Sequence, residues 1–424
     1  MNYTQAIDYL YQLSSLGWKL GLNKIRALLK EVDNPHQQYP IIHIAGTNGK
    51  GSTSAILESI LRTAGYTTGL FTSPHLIHLG ERITVNGIQI SQKDLVSYVE
   101  RLQPLIEKYK CTFFEAITAI AFIHFAERKV DVAVVEVGLG GRLDATNVVS
   151  PILSIITEIE HDHTKQLGRS RRKIAAEKGG IIKRGAVCLT GSQHKDVVET
   201  LAQICRERKT ELMQVSNLVK IQNIIPGEKF TSFDLRLNGS IYPQLKLPLL
   251  GEHQIRNATL AIMATNLLSS EHFDIKIEDV YHGLFDVRWH GRLQILDNSP
   301  KVIVDVAHNP DGTASLVKSI QNTFVYDELF VILGIMKNKN YRAMVKNISA
   351  IASRIIAVKA DTHRALDPRY LVREAEKHNI PAEAFTSVAA GLEHALGKSG
   401  KKTIILGTGS HYTVGELINC YKST

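Results

Sequence analysis

Gly46-Thr47-Asn48-Gly49-Lys50-Gly51-Ser52 is the stretch on which the fold turns. It is entered from an apolar run, Ile41 to Ala45, that Pro40 introduces. It is left through a helical pattern from Thr53 to Thr63, which Gly65 stops. A short apolar run bounded by turn residues reads as a buried strand. Strand, glycine-rich loop, lysine and helix in that order make a concave anion site, because the loop N–H groups and the helix N-terminus converge on one point. Lys50 reaches towards outer phosphates in such a site, and Ser52 offers a hydroxyl to a metal or a phosphate. The general phosphate loop has four residues between its first glycine and its Gly-Lys pair. Here two intervene, and Gly51 separates Lys50 from Ser52, which sets this loop apart from those of common GTPases and kinases.

Outward from the loop, the first thirty or so residues have apolar positions near helical spacing. A second strand, Thr68 to Phe71, leads into Thr72-Ser73-Pro74-His75, and Asn86-Gly87 within Arg82 to Ile90 is a two-residue hairpin signal. Two helices follow, ending near Lys129. Val130 to Val137 is a continuous apolar run broken only by Asp131 and Glu136, the pattern of a strand buried on both faces. Pro151 to Ile156 resembles it. Strands alternating with helices imply a parallel sheet wrapped by helices. Lys220 to Leu250, with alternating residues and turn signals, reads as a small antiparallel insert, and helices resume from Glu252 to Leu268. After Gly291 the rhythm restarts with strand-like runs at Val302–Val306, Leu329–Leu333, Arg354–Val358 and Thr403–Leu406. The expectation is an α/β protein. Residues 1–295 form a phosphate-loop domain with a mostly parallel sheet and the small insert, and residues 296–424 form a Rossmann-like α/β domain.

Composition limits the alternatives. A chain of 424 residues exceeds one ordinary core and predicts two domains, or three. Its 44% apolar and 21% charged residues are those of a globular protein. No apolar stretch reaches the roughly 18 residues of a membrane span; Ala116 to Ala126 is short, carries His124 and reads as a buried helix. Met1 to Leu10 contains Asp8 and lacks the basic-then-apolar order of a signal peptide. Cys111, Cys188, Cys205 and Cys420 show no pairing or zinc spacing, as expected of reduced thiols in a cytoplasmic protein. The formal charge of +9 invites a nucleic-acid reading. The basic residues are nevertheless dispersed, apart from Arg169, Arg171, Arg172 and Lys173, and no nucleic-acid motif accompanies them. A solvated basic surface that steers small polyanions is the better reading.

Three further strings end strands in polar residues. Glu136 stands at a strand's carboxyl end, where open α/β sheets bind ligands; its structural alternative is an ion pair with Arg142 in the loop Gly138-Leu139-Gly140-Gly141-Arg142-Leu143-Asp144. Glu158-Ile159-Glu160-His161-Asp162-His163 closes the next strand. Its Asp and His residues suit a metal with oxygen and nitrogen ligands, and the spacing leaves His161 and His163 equal. Zinc is disfavoured because no thiolate or HExxH companion exists. Magnesium with bound phosphates needs fewer protein ligands. In the second domain, Asp305-Val306-Ala307-His308-Asn309-Pro310 repeats the form, with Asn309-Pro310 also a plain helix cap. Arg292 lies at the proposed hinge.

In their order, Gly46 to Ser52, Ser73-Pro74-His75-Leu76, Glu81-Arg82-Ile83, Glu136 through Asn147, Asp162-His163-Thr164, Glu177-Lys178 and Asp305 through Pro310 resemble the folylpolyglutamate synthase/dihydrofolate synthase family of the Mur ligase superfamily. The match runs from about residue 17 to Gly409-Ser410. The resemblance implies that Gly46, Thr47, Asn48, Gly49, Lys50, Gly51 and Ser52 hold ATP, with Asn257, Arg292 and Asp305 contacting the nucleotide. It implies magnesium on Ser73, Glu136 and His163, which selects His163 over His161, and a second magnesium helped by a carbamylated Lys178. Leu20, Ser73, His75, Thr112, Phe113, Arg142 and Asp144 are the implied substrate contacts, with the pterin near Trp18-Lys19-Leu20. Departures are His290 where many members have proline, Gly180 after Glu-Lys, the basic Arg171-Arg172, and Lys19 where some bifunctional members have an acid.

The implied reaction is ATP-dependent ligation. A carboxylate of dihydropteroate or a folate becomes an acyl phosphate, and L-glutamate displaces the phosphate. Lys50, Lys178, His163, Asp305 and His308 are the implied catalytic residues. Domain closure near Arg292 is expected to carry Asp305 and His308 towards the substrate. A monomer acting on small molecules, with no nucleic acid or membrane partner, completes the expectation. The alternatives are a synthase for folylpolyglutamate alone, another Mur-type ligase such as a muramyl peptide enzyme, and a non-catalytic nucleotide-binding relative.

Overall fold

Eight strands form the larger sheet of the computed structural model, which describes residues 1–13, 21–168, 170–237 and 240–422. In chain order they are β1 (Ile41–Ala45), β2 (Thr68–Phe71), β3 (Ile83–Val85), β4 (Ile88–Gln89), β5 (Val132–Glu136), β6 (Leu153–Ile156), β7 (Val187–Thr190) and β8 (Leu212–Gln214). They lie side by side as β4-β3-β2-β5-β1-β6-β7-β8. From β2 to β8 all neighbours are parallel, while β3 and β4 run antiparallel at one edge. The positive φ of Asn86 (51°) and Gly87 (74°) is what the tight turn between β3 and β4 demands.

β1 and β5 are buried at every residue, which is why both read as unbroken apolar runs instead of alternating ones. The helices α1 (Tyr3–Gln12), α2 (Asn23–Lys30), α4 (Gln92–Tyr109) and α5 (Phe113–Glu127) supply one core with Phe71, Ala133 and Val135, and α3 (Lys50–Thr63) follows the phosphate loop. Phe122 and Phe125 are fully buried in that core, each contributing about 1.5–3 kcal/mol relative to exposure. As expected, Ala116–Ala126 lies within α5, and its His124 is buried beside the Tyr98 hydroxyl at 3.4 Å. On the other side of β6, α6 (Thr164–Leu167), α7 (Arg171–Lys178) and α8 (Lys195–Arg208) enclose a second core around Ile156, Ile174 and Leu201.

The expected insert is a separate three-stranded sheet of β9 (Val219–Ile225), β10 (Thr231–Leu237) and β11 (Ser240–Leu247), in the order β11-β10-β9. A six-stranded sheet follows: β12 (Gln294–Asn298), β13 (Lys301–Asp305), β14 (Glu328–Leu333), β15 (Arg354–Val358), β16 (Ala382–Phe385) and β17 (Thr403–Thr408), ordered β12-β13-β17-β14-β15-β16. It is parallel except for the β12–β13 pair. Its core gathers Ile303, Leu316, Val331, Leu333, Ile355 and Leu406. The chain divides into two compact units. The first is Met1–Gln222, Asp234–Leu245 and Arg256–Val287, and the second is Asn223–Phe233, Lys246–Ile255 and Arg288–Thr424. Among the described residues no helix is long and apolar enough to cross a membrane. The four cysteines are unbridged thiols, and three are buried.

Candidate active site

The central order β2-β5-β1-β6 places the carboxyl ends of four parallel strands in a row, and each end carries one of the polar strings. Register fixes their level: Phe71 pairs with Val135, Ile44 with Glu136 and Ala45 with Ile156. The glycine loop leaves β1 and is stitched to the segment after β6. Thr47 N–H donates to the Glu158 carbonyl (2.8 Å), the Thr47 hydroxyl bridges the Glu160 backbone N–H and carbonyl (both 3.1 Å), and Thr157 Oγ1 donates to the Asn48 carbonyl (2.8 Å). A Cβ on Gly46 would lie 1.7 Å from Thr157 Oγ1, and one on Gly49 would lie 2.3 Å from Asn257 Oδ1. Gly49 caps α3 at φ +86°, a conformation that favours glycine, so the helix starts at Lys50, three residues before the expected Thr53. That start aims the first N–H groups of α3 into the loop.

Lys50 folds over this loop. Its Nζ lies 3.3 Å from the Thr47 carbonyl and 3.7 Å from Glu136 Oε1. Glu136 is 3% exposed, and its other oxygen accepts the Ser73 N–H at 3.1 Å. The ion pair weighed for Glu136 with Arg142 is not what forms, because Arg142 points outward and clasps Glu177 with Nε and Nη2 at 3.1 and 2.9 Å. Lys178, 5% exposed, donates from Nζ to the Gly46 carbonyl at 2.7 Å. Burial, reinforced by the Lys50 charge, pulls its amine down to about 7, against the smaller opposing effect of Asp162, Asp144 and Glu136. A lysine in that range carries a substantial neutral fraction near neutral pH, the form that reacts with carbon dioxide.

The β6 segment carries the imidazoles. His161 is exposed. His163 is partly buried at φ +49°, held by its own N–H on Asp162 Oδ1 at 2.8 Å. Ser73 after β2, Glu136 ending β5 and His163 after β6 offer a hydroxyl and a carboxylate, the oxygen donors that suit magnesium beside phosphates, with one imidazole to complete the set. Among the described residues, the three His, Cys, Asp or Glu side chains drawn together tightly enough for one ion are different ones: Glu158, Glu160 and His194. Glu160 is already occupied there, paired with Arg171 (2.9 and 3.1 Å) on one oxygen and hydrogen-bonded by His194 Nε2 (2.7 Å) on the other.

The expected substrate contacts separate into two groups. His75 and Phe113 meet in a small cluster. Arg82 Nε donates to His75 Nδ1 at 2.9 Å, Tyr11 OH lies 3.3 Å from His75 Nε2, and Tyr11 stacks on Phe113, over which the Arg82 guanidinium also sits. Burial first, then the Arg82 charge, lowers the His75 imidazole to about 3. Thr112 and Asp144 are occupied elsewhere. Thr112 caps α5 and is bound by Glu115, while Asp144 is buried and accepts the N–H groups of Leu139 and Thr146 and the Thr146 hydroxyl. Leu20, with Trp18 and Lys19, lies outside the described residues. Sequence reasoning gave Tyr11, His194 and Arg171 no role at the site, and Arg82 entered only as part of the Glu81-Arg82-Ile83 string; the signal lay in that string, whose Glu81 accepts the N–H groups of Leu76, Ile77 and His78 and so shapes the loop.

In the second unit Asp305 ends β13 and is buried. Its oxygens accept Leu293 N–H (3.0 Å) and Ala307 N–H (2.8 Å), and burial raises its carboxyl above the usual range while nearby Arg292 opposes that shift. His308 Nδ1 donates to the Val306 carbonyl (3.0 Å) and its ring lies 5.2 Å from that of His411. Asn309 does cap the following helix, through Gly312 N–H at 2.7 Å.

The Mur ligase middle domain family matches residues 44–265, and the glutamate ligase domain family of Mur ligases matches residues 291–411. A dihydrofolate synthase/folylpolyglutamate synthase of Bacillus subtilis (strain 168) is 34% identical over 427 residues, which is 98% of each chain. Mycobacterium tuberculosis folylpolyglutamate synthase complexed with ADP superposes with a TM-score of 0.93, 29% identity and 99% coverage of both chains. E. coli FolC in complex with DHPP and ADP gives a TM-score of 0.89 at 26% identity, covering 99% of this chain and 98% of that one.

Proposed function

The chain belongs to the Mur ligases, within the dihydrofolate synthase/folylpolyglutamate synthase family, and we propose that it uses ATP to join L-glutamate to the carboxylate of dihydropteroate, of a folate, or of both. The observation that carries this reading is the convergence, on one sheet edge, of Lys50, Ser73 and Glu136 around a glycine loop that Lys178 holds from below.

The loop N–H groups of Gly46 to Ser52 and the start of α3 receive the phosphates, and Lys50 leaves the Thr47 carbonyl to neutralise them. Asn257, Arg292 and Asp305 are assigned nucleotide contacts by family resemblance. Ser73, Glu136 and His163 are the residues that would hold magnesium, which when bound offsets phosphate charge and orients the reacting oxygens. The substrate carboxylate attacks the γ-phosphorus, the bond to the β-phosphate oxygen breaks, and ADP leaves. The neutral amine of L-glutamate then attacks the acyl carbon, phosphate departs, and the amine proton is released. Positioning and charge neutralisation do most of this work. A carbamate on Lys178, formed from its neutral amine and carbon dioxide with loss of one proton, would supply an anionic ligand to a second magnesium. His75, Phe113 and Arg142 are assigned to the acceptor, and His308 with Asp305 to the catalytic residues that face the substrate. Residues 1–295 are read as the ATP-binding part and 296–424 as the glutamate ligase part. The free thiols fit the cytoplasm, and a monomer suffices for small-molecule substrates.

The test is phosphate release from ATP with L-glutamate and, in parallel, dihydropteroate, tetrahydrofolate or a muramyl peptide as acceptor. Release with either pterin substrate is expected. Release with the muramyl peptide alone, or with none, overturns the reading.

A further inference from the structure

Thr47 is gripped by the backbone of Glu158 and Glu160, and the side chains of those two glutamates are in turn gripped by groups outside the phosphate loop. Arg171, the first residue of α7, clasps Glu160 Oε2 with two nitrogens. His194, just before α8, donates from Nε2 to Glu160 Oε1 at 2.7 Å, with Glu158 Oε1 at 3.8 Å. Ser192, after β7, donates to Glu158 Oε1 at 3.0 Å. Glu160 is 13% exposed and Arg171 32%, so this ion pair is shielded well beyond an ordinary surface pair. The last residue of α7 is Lys178, which holds Gly46. One helix therefore meets consecutive loop residues at its two ends, Gly46 directly and Thr47 through Glu160.

We propose that Arg171, Glu160 and His194 form a positioning network that fixes Thr47 in the phosphate loop and thereby sets nucleotide affinity. The network rests on the nucleotide-binding reading of the loop. Arg171 and His194 act through Glu160, and no nucleotide contact is required of them. Two carboxylates and an imidazole this close resemble a cation site, but Arg171 fills the charge that a cation would satisfy. Loop amides bind phosphate only when several point inward together, so a loop free to rock loses affinity without losing its fold.

The experiment is calorimetric titration of ADP and of a non-hydrolysable ATP analogue into the full chain and into Arg171→Met, Arg171→Lys, Glu160→Gln and Arg171→Met/Glu160→Gln variants. Loss of the charge-assisted pair is expected to weaken nucleotide binding about fivefold in either single variant, with melting temperature nearly unchanged. Arg171→Lys is expected to recover part of it, and the double variant to bind no more weakly than the worse single one, because both remove the same contact. Unchanged nucleotide affinity in Arg171→Met and Glu160→Gln, or losses that simply add in the double variant, overturns the network. A parent chain that binds no nucleotide overturns the ligase reading instead, so the two failures are distinct.

Discussion

Lys178 Nζ donates to the Gly46 carbonyl at 2.7 Å, so a buried amine and the first residue of the phosphate loop move as one piece. The contact explains how a lysine can sit at 5% exposure beside Lys50: its charge is readily given up, and its hydrogen bond survives in the neutral form.

A carbamate on this amine is expected to depend on pH. With the amine lowered to about 7, its neutral fraction grows as pH rises through that value and falls about tenfold for each unit below it. Carbon-13 NMR with labelled bicarbonate should give a carbamate signal at about pH 8 that fades by about pH 6 and is missing from Lys178→Arg. Lys178→Ala should lose most activity and regain some with short-chain carboxylic acids. A wild-type spectrum with no carbamate signal at the higher pH would remove Lys178 as a ligand to a second magnesium.

Lys50 and Glu136 share one site but should fail differently. Lys50→Ala is expected to lower ADP formation about 10²–10³-fold, the scale for removing one preorganised charge partner. Its circular dichroism should match the parent, since Lys50 supports no core contact. Glu136→Ala should raise the magnesium concentration needed for half-maximal rate. An unaltered magnesium requirement would take Glu136 out of the metal shell.

Gly49→Ala should destabilise the first unit. The residue sits at φ +86°, where a side chain costs about 1–2 kcal/mol. The new Cβ would also displace Asn257, whose Oδ1 lies 2.3 Å from its ideal position. Urea unfolding of Gly49→Ala and of Gly49→Ala/Asn257→Gly separates the two effects. The double variant should recover only the steric part, and full recovery would show that backbone strain is absent.

Acid should weaken the fold partly through His36. Burial lowers this imidazole from 6.5 to about 4, so between those values the unfolded chain binds a proton that the folded one refuses. Stability from this group is therefore complete above 6.5 and is lost as pH falls towards 4. The slope is about 1.4 kcal/mol per pH unit. In His36→Leu the dependence of unfolding free energy on pH should flatten by about that amount across the window. An unchanged slope would mean that His36 titrates normally.

The sequence by itself determined the strands and their polar ends. Ile41–Ala45 and Val132–Glu136 are unbroken apolar runs because both of their faces are covered, and Gly46 to Ser52 can only be a turn entering a helix. Local pattern was weaker where burial is partial. β8 is half-buried along its whole length, and β12 lies at an edge with a bulge, so neither carries the periodicity that marks a strand.

Only the tertiary structure decided partners. Lys178 looks like any helix lysine in the sequence, and its burial against Gly46 comes from a helix 132 residues away along the chain. Thr112 and Asp144 became a helix cap and a loop anchor, because burial requires their oxygens to take the nearest backbone N–H groups. Arg142 and Arg171 found Glu177 and Glu160 in the same way. Spacing records which groups a chain owns, whereas desolvation, which depends on every neighbour at once, decides where each charge can be spent.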